Sequence, residues 1–330
     1  MRILLVLFLG AVLTAPPAAM AQTSQDGAPQ RSSAPLESVI VSATRPSEAV
    51  IDSFIFSRAA PTRVTGKLAR WKKGICPQTI GLGDRFAKYV TDRIREVAAA
   101  AGAPVDSDAS CKPNIEVVFT TTPQELLDNI RKGEPVFLGY HDNGSQADEM
   151  AKVTHAMQSW YTTATDDMRG RPEVDSGTSG GTTIEMQPLA LPPGTGLPNP
   201  VGTITVTLPH ASAYSVTGSR LGDGLSSELY NVLIVAEPAK LMDHEIGALA
   251  DYAAMLALAQ PSSLDSCEPL PSISNLLVKD CATATAHLTD GDLAYLRALY
   301  KIGATDTLAM ERDQIRFQME KVLVTDKSGQ

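Results

Sequence analysis

Histidine and aromatic side chains are scarce. The chain has five histidines in 330 residues, and Phe, Trp and Tyr together make up 5%. No two histidines stand four positions apart, which excludes the H-E-x-x-H helix of zinc peptidases. The four cysteines contain no C-x-x-C pair, so a zinc ribbon is also excluded. Beyond the first 21 residues no apolar run approaches the roughly 20 residues a bilayer span requires; the run at 246–259 is interrupted by Asp251. Basic residues are outnumbered 28 to 37, a net charge of −9 that argues against nucleic acid as a partner. With 43% hydrophobic and 20% charged residues, the rest is ordinary globular composition.

Residues 1–21 have the pattern of a secretory signal peptide. Arg2 precedes the apolar run Ile3 to Leu13, and Ala19-Met20-Ala21 gives an A-x-A site before Gln22. The expectation is a soluble exported protein, periplasmic or secreted, with no membrane-spanning segment once the signal is removed. In such a compartment Cys76, Cys111, Cys267 and Cys281 suggest two disulfides. The spacing favours 76–111 and 267–281; free thiols and a metal cluster are the competing readings.

Residues 22–35 read as a disordered leader and 36–323 as the folded domain, with a flexible tail at 324–330. Val39, Ile40 and Val41 suit a strand, and another apolar piece runs from Val50 to Phe56. Ile75 to Leu82 is β-like. Asp84 to Ala101 has helical spacing, ended by Gly102-Ala103-Pro104. Ile115 to Thr120 is a clear strand, and Pro123 to Ile130 a short helix with proline at its first position. A further helix is expected over Ser145 to Ser159, then a long mobile loop, rich in proline and glycine, over 169–201. Strands follow at Thr203 to Leu208 and Tyr230 to Ala236, and helices at about 244–259, 290–301 and 305–323. This order predicts an α/β or α+β domain.

The helix at 243–260 is apolar on nearly every side, as a helix packed deep in a core would be. Asp243 is its expected N-cap and Gln260-Pro261 its stop. His244-Glu245 begins a zinc-peptidase motif, but position 248 is Ala; the register that gives Asp251 the glutamate role puts Ala250 and Ala254 at the histidine positions. Both registers fail, so no catalytic residue, metal ligand or cofactor is expected.

LARWKKGICP at 68–77, CKPNIEVVF at 111–119 and LADYAAMLALAQPSSLDSC at 249–267 resemble an uncharacterised family of exported bacterial proteins. That family is distantly similar to zincin-like metallopeptidases of the matrixin type. Leu288-Thr289, Asp292-Leu293, Leu296 and Leu299-Tyr300 resemble the helix after the active site in those enzymes. The resemblance implies a zincin-like α+β single domain: a mixed sheet packed on long helices, with a helical C-terminal half. The family's metal ligands do not carry over, so it implies a fold without the activity, acting by binding or in envelope assembly.

Asp251, with His244 and Glu245, is the candidate vestigial site. Asp251 is either an acid retained at a former active site, which could serve an unrecognised hydrolase, or a core residue paired with a partner such as Arg220. Arg70 and Trp71, among Lys67, Lys72 and Lys73, form a basic spot that either contacts an anionic envelope polymer or protects a sheet edge. Residues 36–45 either dock on an envelope protein as an added strand or join the domain's own sheet. Gly177-Thr178-Ser179-Gly180-Gly181 fits G-x-S-x-G but sits in the proline- and glycine-rich stretch, where a flexible loop is the better reading. His141 and His155 read as surface residues and Trp160-Tyr161 as a core anchor.

Overall fold

The computed structural model describes residues 46–108, 110–167, 169–170, 172–177, 181–186, 204–209, 223–303 and 307–325. The signal peptide, the leader, residues 36–45 and most of the 324–330 tail therefore lie outside the described residues.

Helix α1 (Glu48–Arg58) is capped by the Ser47 hydroxyl and ends beside Ala59. Strand β1 (Pro77–Ile80) leads into α2 (Asp84–Ala101), whose apolar face of Val90, Ile94, Val97 and Ala98 is buried. Gly102 stops α2 in the left-handed conformation, φ 82°, which glycine adopts without strain. Strand β2 (Ile115–Phe119) alternates buried and half-buried residues, as a strand covered mainly on one face should. Helix α3 (Pro123–Gly133) begins with proline at a position whose N–H has no intrahelical partner. A 3-10 turn at Pro135–Leu138 follows.

The expected helix from Ser145 to Ser159 is only half present. Helix α4 (Gly144–Met150) ends after two turns, and Met157–Asp166 forms strand β3 instead. The aromatic and β-branched run Trp160-Tyr161-Thr162-Thr163 fits a pleated surface better than a helix, and pairing with the sheet decides the outcome. The loop expected over 169–201 also carries strands: β4 (Pro172–Val174) and β5 (Gly181–Met186). Strand β5 pairs antiparallel with β6 (Ile204–Pro209) in a separate two-stranded sheet.

Strand β7 (Ser226–Ala236) completes the main sheet, whose order is β1-β2-β7-β3-β4. The first three strands are parallel, with Pro77 opposite Ile115 and Ile115 opposite Val232. β3 runs antiparallel to β7, Met157 opposite Ala236, with a bulge between Thr162 and Thr163. β4 pairs with β3 only at Ala164–Asp166.

Helices α5 (Ile246–Leu258), α6 (Asp290–Leu299) and α7 (Leu308–Thr325) form the C-terminal half. On one face of the sheet a large core joins α1, α2, α5, α6 and α7 to Ile115, Val117, Val232 and Ile234. On the other face, Leu233, Val235 and Trp160 meet Leu127, Leu138, Ala147 and Ala151, with partly buried Leu126, Ile130, Met150 and Val153 against them. The architecture is α+β with a mixed five-stranded sheet.

Two disulfides, Cys76–Cys111 and Cys267–Cys281, have Cα separations of 6.0 and 5.5 Å and match the pairing that spacing favoured. The first ties the start of β1 to the segment before β2. The second closes a loop between α5 and α6. Chain-entropy reasoning gives each on the order of 3–4 kcal/mol. Among the described residues no helix is long and apolar enough to cross a membrane.

Candidate functional site

Eleven consecutive residues of α5, Ala248 to Leu258, are buried. Its alanines bring neighbouring helices close, and Ala250 and Ala254 are fully enclosed. The helix starts after Glu245 rather than at the expected Asp243, and Glu245 gives no side-chain cap. His244 and Glu245 thus sit on the turn ahead of the helix. Asp251 lies six residues beyond Glu245, about 9 Å along the axis. The three residues of the expected vestigial site are not brought together.

Asp251 is 3% exposed. Its Oδ1 accepts from Arg93 Nε of α2 at 2.5 Å, and its Oδ2 from the Leu288 backbone N–H at 2.9 Å. Its hydrogen bond to Asp251 raises the Arg93 guanidinium above its ordinary range. Both carboxylate oxygens are engaged in joining α5 to α2 and to the approach of α6. Arg220, the partner expected from sequence, lies outside the described residues; Arg93 holds the acid. Among the described residues no three His, Cys, Asp or Glu side chains gather as metal ligands.

The basic spot turns inward. Trp71 is 2% exposed and donates its indole N–H to the Ala257 carbonyl at 2.8 Å. Arg70 is buried and donates to the carbonyls of Ile302 and Gly303. Lys67 binds Asp223 and the Leu225 carbonyl, Lys72 binds Asp166 and Ser226, and Lys73 faces Glu228 at 3.3 Å. Neither Arg70 nor Trp71 offers a surface to a polymer, and this corrects the expectation of a contact site. His141, expected at the surface, is buried with Nδ1 2.9 Å from the Gly139 carbonyl oxygen. His155 lies on the turn before β3 rather than on a helix. Of the G-x-S-x-G stretch, Thr178, Ser179 and Gly180 lie outside the described residues.

A cleft of about 380 Å³ opens along the outer edge of β3, between elements of both sides of the sheet, and sequence reasoning did not find it. Ser159, Trp160 and Tyr161 of β3 form one wall, and Gln260 to Leu264, just past α5, form another. The hydrogen-bond alternation of β3 can be read from its ends. The Glu237 N–H donates to the Ala156 carbonyl, so residues 156, 158 and 160 turn their backbone groups to β7. On the other side of β7, the Val232 N–H donates to Asn114 and the Ala236 carbonyl accepts from Thr120, which agrees. Ser159 and Tyr161 therefore direct their backbone N–H and C=O away from β7. Among the described residues β4 and Asp175 cover that edge from the Thr163 carbonyl onward, and the Gly139 strap lies against the Tyr161 carbonyl.

Polar groups line the opening. His155 Nε2 is 3.0 Å from Asp265 Oδ1, and Thr154 Oγ1 is 2.8 Å from His155 Nδ1. The chain Thr154-His155-Asp265 has the atom types of a nucleophile relay, but Asp265 is 83% exposed, so water screens the acid that would orient the imidazole. Tyr161 donates to the Leu256 carbonyl at 2.8 Å and accepts from Ser159 Oγ at 2.9 Å; burial pushes its phenol well above the ordinary range. Gln260 Oε1 is buried without a hydrogen-bond partner. At the rim Gly139 has φ 95°, and a Cβ there would meet the Tyr161 carbonyl oxygen at 2.6 Å. Only glycine lets this strap cross β3 so closely.

Compared with protein-family models, with curated proteins and with solved structures, the chain matches none of them.

Proposed function

We propose that this is an exported, non-catalytic binding protein on a zincin-like scaffold, which holds an extended polypeptide segment of an envelope partner as a short added strand along β3. The observation that carries the reading is the outward backbone of Ser159 at the wall of the cleft, next to Tyr161, whose carbonyl the Gly139 strap already covers. Strand addition uses such main-chain donors and acceptors for affinity and the neighbouring hollows for side-chain choice.

The order β1, α2, β2, antiparallel β3, β7, α5, α6 supports the zincin-like reading, and the spacing of the metal motif supports the inactive one. In the longer motif H-E-x-x-H-x-x-G-x-x-H, the register that aligns Asp251 with the glutamate puts Ala250, Ala254 and Gln260 at the ligand positions. A hydrolase centred on Asp251 finds less support, since both its oxygens are committed to Arg93 and Leu288. Two disulfides and the pattern of residues 1–21 support export.

Selection of binders from a displayed random-peptide pool tests this. Peptides that bind the native protein should lose at least tenfold in affinity for Ser159→Pro. That change removes one outward N–H without touching a bond to β7, and proline is tolerated where a strand's N–H faces solvent. Equal binding by Ser159→Pro would reject strand addition. Metal analysis of protein purified without chelator tests the other half: one tightly held zinc per chain would reject the non-catalytic reading.

A further inference from the structure

Next to the Gln260–Leu264 wall of the cleft, an aromatic ring and a cation stand together. Phe56, in the last turn of α1, is 57% exposed. The guanidinium of Arg312, near the start of α7, lies 4.2 Å from the centre of that ring, a cation–π contact. Short bonds tie the pair to the cleft. Arg312 Nη2 donates to the Ala59 carbonyl at 2.9 Å, and the Ala60 N–H donates to the Gln260 carbonyl at 2.9 Å. The Ser262 hydroxyl donates to the Phe56 carbonyl at 2.8 Å. Gln260 and Ser262 both line the cleft.

Arg312 contrasts with Arg316, one turn further along α7, which bridges Glu48, Asp52 and Asp313. Among the described residues no carboxylate lies within ion-pair distance of Arg312, although the chain carries −9 overall. Glu311, the acid beside it in sequence, is buried and accepts from the Leu68 N–H at 2.9 Å. The bond to Ala59 is the one hydrogen bond of the Arg312 guanidinium among the described residues, and its Nε is buried without a partner. A half-buried guanidinium with its charge unmatched pairs best with a carboxylate, through charge-assisted hydrogen bonds. A basic partner would be repelled there. We propose that the Phe56–Arg312 pair anchors a carboxylate of the polypeptide segment held in the cleft, which makes the preferred ligand an acidic peptide. The proposal rests on strand addition along β3, since an extended segment advancing about 3.3 Å per residue carries its next residues past the Gln260 wall.

Synthetic peptides copied from the selected binders test the proposal. Each acidic peptide is compared with a form in which the carboxylate is a carboxamide, and with a C-terminal amide, which separates a side-chain carboxylate from a terminal one. The native protein should bind the acidic form about fivefold more tightly, the size of a well-placed, half-exposed ion pair. The preference should vanish in Arg312→Gln and survive in part in Arg312→Lys, which keeps the charge without the planar fork. Because the readout is a ratio, any general loosening of the cleft by either substitution cancels. Ser159→Pro should weaken both forms alike and leave the ratio unchanged. Binders with no enrichment in acids, equal affinity for the two forms, or a preference that survives Arg312→Gln overturns the anchor and leaves strand addition standing. A preference that depends on Arg312 in peptides indifferent to Ser159→Pro keeps the anchor and rejects the added strand. A pool that yields no binder rejects both.

Discussion

The two faces of β7 are covered to different depths. Ile234 points into the large core formed with five helices, while its neighbour Leu233 points into a small cluster under α3 and α4. The thick side fixes the fold, and Asp251 there has both carboxylate oxygens engaged. Between the two faces, the edge of β3 is bordered by a cleft whose walls come from both sides, Leu138 to Tyr140 on one and Gln260 to Leu264 on the other. The proposed peptide site would thus sit at a sheet edge between the two cores, where loops rather than packed helices border the strand.

The contrast can be broken at four points. The largest effect is expected from Ile234→Ala, about 4 kcal/mol in urea unfolding, against about 2.5 kcal/mol for Leu233→Ala, because a thin cluster collapses more readily onto a cavity. Equal losses would show that the two faces are equivalent. Asp251→Ala should cost about 3 kcal/mol, since it leaves the Leu288 N–H without its acceptor and removes the tie from α5 to Arg93 of α2. A loss under half of that would mean that water already satisfies the pair.

Gly139→Ala should cost about 2 kcal/mol by driving a methyl group against the Tyr161 carbonyl at a positive φ. It should also weaken peptide capture, read by the same display binders; unchanged capture would separate the strap from the cleft. The smallest effect is one of pH. Asp175 is buried and accepts from the Thr163 and Thr165 hydroxyls at 2.6 and 2.8 Å. Burial pushes its carboxyl up, and the two hydroxyls only partly offset this. Its folded form binds the proton more tightly than the unfolded form, whose carboxyl titrates near 3.9. The associated stability is complete below that pH and is lost as pH rises through the folded value. Asp175→Asn should therefore raise the melting temperature more at pH 8 than at pH 4, and the opposite ordering would reject this assignment.

Local signals made much of the fold legible. The apolar spacing of Asp84–Ala101 with its Gly102 stop, the alternation of Ile115–Phe119 and the Thr289–Asp292 capping box at α6 each specify an element from neighbouring residues. What failed depends on distant partners. Residues 151–159 read as helix because their strand character appears only on pairing with β7, some 80 residues away. The lysines around Trp71 read as surface because their acids, Asp166, Asp223 and Glu228, come from far along the chain. The cleft was illegible for the same reason: which backbone groups of β3 point outward follows from its register. The stop signal Gln260-Pro261 marked the right place, yet nothing local shows that Gln260 also faces a cavity.

Amide hydrogen exchange of the protein with and without a selected peptide tests strand addition most directly. The account predicts new protection at Ser159 and none at Gln158 and Trp160, whose N–H groups already serve β7. Protection that ignores this alternation, or that gathers instead around His244 and the start of α5, would contradict it.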